Sequence, residues 1–193
     1  PSFVNIIGNS AFNGCNNVNS VTIPNSVSSI GSLAFSNFSG LFFVDETNPN
    51  FASVDGVLYN KKKTMLIQIP NTMKGTFKVP RNVAVIGNYA FTGCNELTEI
   101  LLPKSLKTIG NNAFAGLKRL NGSFSIPDSV TDIGSSAFSG CSDLRTITIS
   151  SKVLKSIGES AFSGCVNLRF LYIFMFELVE LSQTNNTFYL VNK

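Results

Sequence analysis

The sequence has no histidine and no tryptophan, and only 13% of its 193 residues are charged, about half of the quarter usual in soluble domains. Because histidine is the commonest general base and metal ligand, its absence removes Ser-His-Asp and Cys-His pairs and leaves only all-cysteine zinc sites. No two of the four cysteines (Cys15, Cys94, Cys141 and Cys165) are spaced closely enough for a zinc knuckle. The sequence therefore predicts a non-enzymatic protein with no metal and no cofactor.

Long apolar runs and dense charge are also scarce. The longest apolar run, 170–176, ends at Glu177 and is far short of the roughly 20 residues that a membrane-spanning helix needs. No membrane insertion is expected from this segment, and no signal peptide is visible at its N-terminus. The net charge is +4, and the one dense basic run, 61–63, lacks arginines and interleaved aromatic residues. No nucleic-acid partner is predicted.

What the sequence does contain is a repeat. The string Ile-Gly-x-x-Ala-Phe occurs six times, and its glycines are separated by 23 or 24 residues except for one interval of 56. A period in the low twenties is typical of a solenoid with one supersecondary unit per coil. The six glycines are Gly8, Gly31, Gly87, Gly110, Gly134 and Gly158.

Within one copy, the spacing of apolar residues changes character. Ile86, Ala90, Cys94 and Leu97 are separated by four, four and three residues, which predicts a short helical segment. Residues 100–103 then alternate as a short strand that ends at a proline. We predict an α/β solenoid of about seven coils of 23–24 residues, with one short strand and one helical turn per coil.

The 56-residue interval is interpreted as an irregular coil and not as a linker. Asp55-Gly56 between apolar flanks predicts a β-hairpin, and 60–63 is expected to reverse the chain again. We therefore predict a single domain, 1–193. Its parts are regular coils (4–47), a β-hairpin variant coil (48–80), further regular coils (81–175) and a C-terminal cap or tail (176–193).

These repeat units resemble a known family. Val-Ser-Ser-Ile-Gly-Ser-Leu-Ala-Phe (27–35), Ala-Phe-Thr-Gly-Cys-Asn-Glu-Leu-Thr-Glu-Ile (90–100) and the irregular coil at 48–59 are similar to the BspA-like leucine-rich repeats. The resemblance covers about residues 4–175. It implies a non-enzymatic surface or secreted protein of the kind that host-associated bacteria and some parasitic protists carry, several of which act as adhesins or in co-aggregation.

The repeated side chains have structural interpretations. The four cysteines share a position that Phe38 and Leu117 occupy in other copies, so we expect buried free thiols that pack as small apolar groups. A disulfide is geometrically conceivable only between Cys141 and Cys165, which lie in adjacent coils. The phenylalanines of Ala-Phe are expected to stack as a spine, and the repeated glycine to permit a tight start of the helical turn.

Candidate binding residues lie on the predicted strands, where residues between core positions point outward. Most outward residues are small and hydroxylated, with a few apolar anchors. The run at 170–176 has two interpretations, a cap on the terminal coil and a ligand-binding surface, and it also predicts a homodimer through the exposed terminal coil. The candidate partner-binding residues are Glu99, Leu101, Thr146, Thr148, Phe170 and Tyr172.

Together these observations predict a binding module of a cell-surface or extracellular protein. Its partner would be a protein, such as a host matrix or cell-surface protein, or a glycan, recognised along the strand face. The alternative is a structural spacer whose coils present a separate functional domain. The localisation rests on the family resemblance.

Overall fold

The computed structural model describes residues 3–173, 179–184 and 187–192. The chain is a β-solenoid of about seven turns, and the described residues contain no helix. No segment among them is therefore a helix long and apolar enough to cross a bilayer.

Each regular coil contributes two strands, one longer and one of only two residues. The strands are β1 (Ile6–Ile7), β2 (Ser20–Ile23), β3 (Ser29–Ile30), β4 (Leu41–Val44), β5 (Phe51–Val54), β6 (Val57–Asn60), β7 (Met65–Gln68), β8 (Lys74–Lys78), β9 (Val85–Ile86), β10 (Glu96–Leu101), β11 (Thr108–Ile109), β12 (Gly122–Ile126), β13 (Asp132–Ile133), β14 (Leu144–Ile149), β15 (Ser156–Ile157), β16 (Phe170–Ile173), β17 (Val179–Thr184) and β18 (Thr187–Asn192).

The longer strands form three separate parallel ladders along one side of the solenoid: β2–β4, β8–β10 and β12–β14–β16. We call the outward side of these strands the strand face. The two-residue strands pair on another side, as β1–β3 and as part of a seven-strand sheet that β5, β6 and β7 complete. Side chains from both sides point inward and form the core, as the alternating burial of β14 illustrates.

The expected helical turn in each coil is wrong, because the residues after the repeated glycine form successive β-turns. Along 136–141, every second amide donates to the carbonyl three residues earlier, at 3.0–3.3 Å, and the amides between them donate to carbonyls of the next coil, at 2.7–2.9 Å. Ser136 and Gly140 have positive φ (54° and 74°). An α-helix needs right-handed residues whose amides all bond within the segment, so this alternation excludes one.

The repeated glycine also has a different role from the one expected. A Cβ on Gly134 would lie 2.5 Å from the backbone nitrogen of Asn111 in the preceding coil, and one on Gly110 would lie 2.7 Å from that of Asn88. No side chain fits where two backbones approach this closely. The glycine therefore permits close stacking of one coil on another, and Gly8 of the first coil has no atom within 4 Å of the corresponding point.

The predicted hairpin is confirmed. β5 and β6 pair antiparallel around Asp55 (φ 50°) and Gly56 (φ 74°), the two left-handed residues that a type I′ turn requires. A second reversal, through residues 61–63, pairs β6 antiparallel with β7. Asn48 fixes the start of this coil, since its buried amide donates to the Pro24 and Val27 carbonyls at 2.7 and 3.0 Å.

The hairpin divides the apolar core into two clusters. Leu58 of β6 packs in the N-terminal cluster, together with seven buried residues of which Ile7 is the first and Phe42 the last. Val57 and Tyr59, its neighbours on β6, pack in the C-terminal cluster, which extends to Phe162. Because alternate side chains of a strand point to opposite sides, β6 contributes to both clusters at once.

The phenylalanine spine is therefore present in two stretches. Phe12 and Phe35 stack with centroids 5.2 Å apart in the N-terminal cluster. In the C-terminal cluster Phe91, Phe114, Phe138 and Phe162 follow one another at centroid distances of 4.9, 5.1 and 5.6 Å.

The C-terminal predictions fall partly outside the described residues. Residues 174–176, the end of the apolar run, are among those not described, so the cap and the dimer contact stay predictions. After them the backbones of β17 and β18 form an antiparallel pair.

Candidate functional site

Four of the six candidate residues lie together on two adjacent strands of the strand face. Thr146 of β14 is opposite Phe170 of β16, and Thr148 is opposite Tyr172. Neighbouring strands are about 4.8 Å apart, so the four side chains form one continuous patch. Both threonines are half-buried.

The aromatic residues of this patch are exposed. Phe170 is 53% and Tyr172 48% exposed, and their rings stack with centroids 6.0 Å apart and planes at 5°. Because they are two residues apart on one strand, they point to the same side. The stack holds both rings in place before any partner arrives, which reduces the entropy that binding would cost.

The other two candidates, Glu99 and Leu101, lie on β10 in a different ladder. Leu101 is 45% exposed. Glu99 accepts a hydrogen bond from the Thr76 hydroxyl on β8 at 2.8 Å, so its carboxylate is tied to the neighbouring coil. At the start of the same strand, Glu96 forms an ion pair with Arg119 at 2.5 Å. The structure thus does not join these two residues to the aromatic patch.

A groove separates the two groups. β10 and β12 belong to consecutive coils but form no ladder, and they approach each other closely over only a few residues. The groove between them has a volume of about 380 Å³, within the range of small-ligand pockets. Its lining mixes charged, hydroxyl and apolar side chains, including Glu99, Leu101, Lys104, Asn121, Ser123 and Ser125.

The groove lies where two consecutive strands of the strand face do not pair. Gly122 begins β12 with φ of +76°, and the bulge of the β12–β14 ladder is on the other side of β12, where Arg145 of β14 has no opposite residue. The Asn121 amide still donates to the Thr98 carbonyl at 3.3 Å, but beyond this bond the strands are unpaired with each other. The length of this copy, 24 residues, does not indicate that a groove opens here.

Sequence reasoning also missed exposed apolar residues at the other end of the strand face. Phe43 of β4 is 50% exposed, and Leu41 on the same strand is exposed as well. Alternation along the strand could have indicated them, because Leu41 and Phe43 lie on the opposite side of β4 from Phe42, which is fully buried. An aromatic anchor therefore stands near each end of the strand face.

These surfaces carry aromatic, aliphatic, hydroxyl and carboxylate groups. Within the described residues no group of three or more Cys, Asp or Glu side chains is arranged to hold a metal ion. Cys94 and Cys141 are buried, whereas Cys15 and Cys165 are half-buried, so full burial of all four thiols was wrong. The thiols of Cys141 and Cys165 donate to the Phe114 and Phe138 carbonyls, both at 3.1 Å, and are therefore more than apolar packing groups.

Comparison with protein-family models identifies the repeat. A model described as "BspA type Leucine rich repeat region" matches in six copies, over residues 1–75 and 71–189. Among functionally curated proteins, none matches the sequence.

Solved structures of similar proteins share the solenoid. A leucine-rich repeat protein from Eubacterium ventriosum is 30% identical with a TM-score of 0.80, over 90% of this chain and 46% of its own. The pneumococcal vaccine antigen PcpA is 27% identical with a TM-score of 0.69, over 95% and 50%. A leucine-rich cell surface protein from Faecalibacterium prausnitzii is 28% identical with a TM-score of 0.68, over 92% and 53%. The chain spans about half the length of each of these proteins.

Proposed function

The chain belongs to the BspA-type leucine-rich repeat family, and on that premise we propose that it is a non-catalytic interaction and adhesion module of a cell-surface or secreted protein. Its partner is a protein on a host or neighbouring cell. The strand face is the binding surface, and its main contact area is the patch of Thr146, Thr148, Phe170 and Tyr172 near one end.

The stacked and exposed aromatic pair is the observation that carries this proposal. Aromatic residues are enriched among the few side chains that dominate protein interfaces. Two half-exposed rings already held in one orientation supply apolar area at low entropic cost. The threonines beside them add hydroxyl donors and acceptors without the desolvation cost of charges.

The groove between β10 and β12 extends the proposed surface. Glu99 and Leu101 stand on one wall, and Ser123 and Ser125 on the other. A partner that covers the aromatic patch and continues across β12 would reach this groove, since Ser123 and Ser125 are opposite Thr146 and Thr148. The mixed lining suits a polar protein loop better than a purely apolar ligand.

The similar structures support the proposed location. One is described as a cell surface protein and another as a vaccine antigen, and both descriptions fit proteins that face a host. An extracellular site is part of the proposal for this chain.

The test is a binding screen followed by substitution of the patch. The purified chain is presented to immobilised fibronectin, laminin and collagen and to a glycan array. For a protein that binds saturably, the double variant Phe170→Ala/Tyr172→Ala is expected to lose at least about tenfold in affinity, since truncating a central anchor typically costs more than about 1–2 kcal/mol. Thermal unfolding should be little changed.

Val166→Ala is the matched control. Val166 is a 73% exposed apolar residue in the same coil but lies on a turn and not on the strand face, so its loss should leave affinity unchanged. Saturable binding to glycans and to no protein would show that the partner is a carbohydrate and not a protein. No saturable binding to any probe would contradict the proposal and favour the spacer alternative.

A further inference from the structure

Cys141 and Cys165 occupy the same position in two consecutive coils. The coils are joined there by the Phe138 and Gly140 amides, which donate to the Ala161 and Ser163 carbonyls at 2.8 and 2.7 Å. Chains paired this closely are about 4.8 Å apart, within the 4.4–6.8 Å between Cα atoms that a disulfide spans. The two thiols also have equivalent surroundings, since they donate to the carbonyls of Phe114 and Phe138, the same position in consecutive coils, both at 3.1 Å.

The two thiols differ in exposure and in acidity. Cys141 is fully buried, whereas Cys165 is half-buried and accessible. Because the Cys141 side chain can donate to Cys165 once Cys165 is ionised, the pKa of Cys165 is lowered, and the same interaction together with burial raises the pKa of Cys141. An accessible thiol of lowered pKa beside a second thiol is the arrangement of a nucleophilic and a resolving cysteine.

The other two cysteines provide a comparison within the chain. Cys15 is half-buried like Cys165, but the corresponding position of the next coil holds Phe38. Cys94 is buried, and burial raises the pKa of its thiol. The chain thus contains an accessible thiol with a neighbouring thiol, an accessible thiol without one, and an inaccessible one.

We propose that Cys165 and Cys141 are a thiol–disulfide exchange site that takes small-molecule disulfides of the glutathione type and closes an inter-coil disulfide. The Cys165 thiolate attacks one sulfur of the small disulfide, whose S–S bond breaks and releases one thiol. Cys141 then loses its proton and attacks the Cys165 sulfur, which expels the second thiol. Two protein thiols are oxidised and one external disulfide is reduced to two thiols.

The second step is assisted by the first. Once Cys165 carries the mixed disulfide, it no longer accepts a hydrogen bond as a thiolate, so the main cause of the raised Cys141 pKa is removed. The Phe114 carbonyl loses its bond from the Cys141 thiol in the oxidised form. The disulfide is therefore formed at a cost and is reversible by excess thiol.

The experiment exposes the native 193-residue chain to oxidised glutathione, quenches with acid and an alkylating agent, and maps unreduced tryptic peptides by mass spectrometry. Arg145, Lys152 and Lys155 separate the two cysteines into different peptides, so a Cys141–Cys165 link is seen directly. The expected result is this link in the monomer, a persistent glutathione adduct at Cys15, and unmodified Cys94.

Two variants assign the roles. Cys141→Ser should accumulate glutathione on Cys165, and Cys165→Ser should leave Cys141 as unreactive as Cys94. A stable glutathione adduct on Cys165 of the unmodified chain, or no reaction there, would overturn the proposal. So would a link found only between two molecules, and none of these readings depends on the proposed adhesion function.

Discussion

The two core clusters are built from the same repeat but are not equally closed. In the C-terminal cluster, Phe91, Phe114 and Phe138 are fully buried, and coil follows coil without interruption. In the N-terminal cluster, Phe12 is only half-buried, and the hairpin coil ends the series after two copies. The same sequence motif therefore buries more of its phenylalanine where coils stack on both sides of it. This is expected of a repeat protein, in which each coil is stabilised by its nearest neighbours.

The largest effect is expected when the phenylalanine at one position of the repeat is removed from each cluster in turn. Phe138 contacts the rings of Phe114, Phe124 and Phe162, and Phe138→Ala should reduce the free energy of unfolding by about 3–5 kcal/mol. Phe12→Ala should cost only about 1–2 kcal/mol, since less area leaves the interior. Chemical denaturation measures both, and equal losses would contradict the unequal closure of the clusters.

A smaller effect is expected from the repeated glycine. Gly134→Ala places a Cβ 2.5 Å from the Asn111 nitrogen, so the two coils must separate, at a cost of about 1–3 kcal/mol. Gly8→Ala meets no atom within 4 Å and should change stability by less than about 0.5 kcal/mol. If the glycine served only to start a turn, both substitutions would cost the same, and thermal unfolding of the pair decides between these roles.

The smallest effect concerns two carboxylates, those of the exposed Asp45 and the half-buried Asp132. A hydrogen bond from the Ser156 hydroxyl of the next coil lowers the pKa of Asp132, and one from the Thr47 hydroxyl lowers the pKa of Asp45 within its own turn. A lowered folded-state pKa contributes stability above the ordinary value of 3.8, and this is lost as the pH falls through the folded pKa.

The two variants Ser156→Ala and Thr47→Val should each return the neighbouring carboxyl toward its ordinary pKa in an NMR titration. Ser156→Ala should also lower the unfolding midpoint slightly at pH 7, because its bond joins two coils. This difference should shrink as the pH falls below 3.8 and vanish below the lowered pKa of Asp132 in the folded protein. A Ser156→Ala variant that titrates like the parent would contradict the assignment.

Much of the fold could be predicted because strands and turns are encoded locally. Asp55-Gly56 specifies its turn through the φ angles that those two residues tolerate, and the periodic Ile and Phe residues specify the core. The helical turn was wrong because Ile86 of β9, and Ala90 and Cys94 of the segment after it, are buried without a helix as fully as they would be in one. A helix and a series of β-turns differ in the hydrogen-bond acceptor of every second amide. In this protein that acceptor lies in another coil, where a local sequence pattern does not indicate it.

The same limitation applies to the glycine and to the candidate site. The atoms that exclude a side chain at Gly134 belong to Asn111 and Gly110, more than twenty residues earlier, and no local pattern indicates them. The outward residues of β14 and β16 could be predicted from alternation. The groove could not, because it depends on how β12 is displaced from β10 and not on which residues they contain.

The alternating amides of the turn segments have a consequence for how such proteins change over generations. Each coil offers its successor the same set of backbone donors and acceptors that it requires from its predecessor. Side chains at repeated positions add to this exchange, as where the Oδ1 atoms of Asn88 and Asn111 accept amides of the next coil. A duplicated or deleted coil therefore leaves two ends that still match. The length of the array, and with it the reach of whatever it carries, can be altered by recombination without redesign of any single coil.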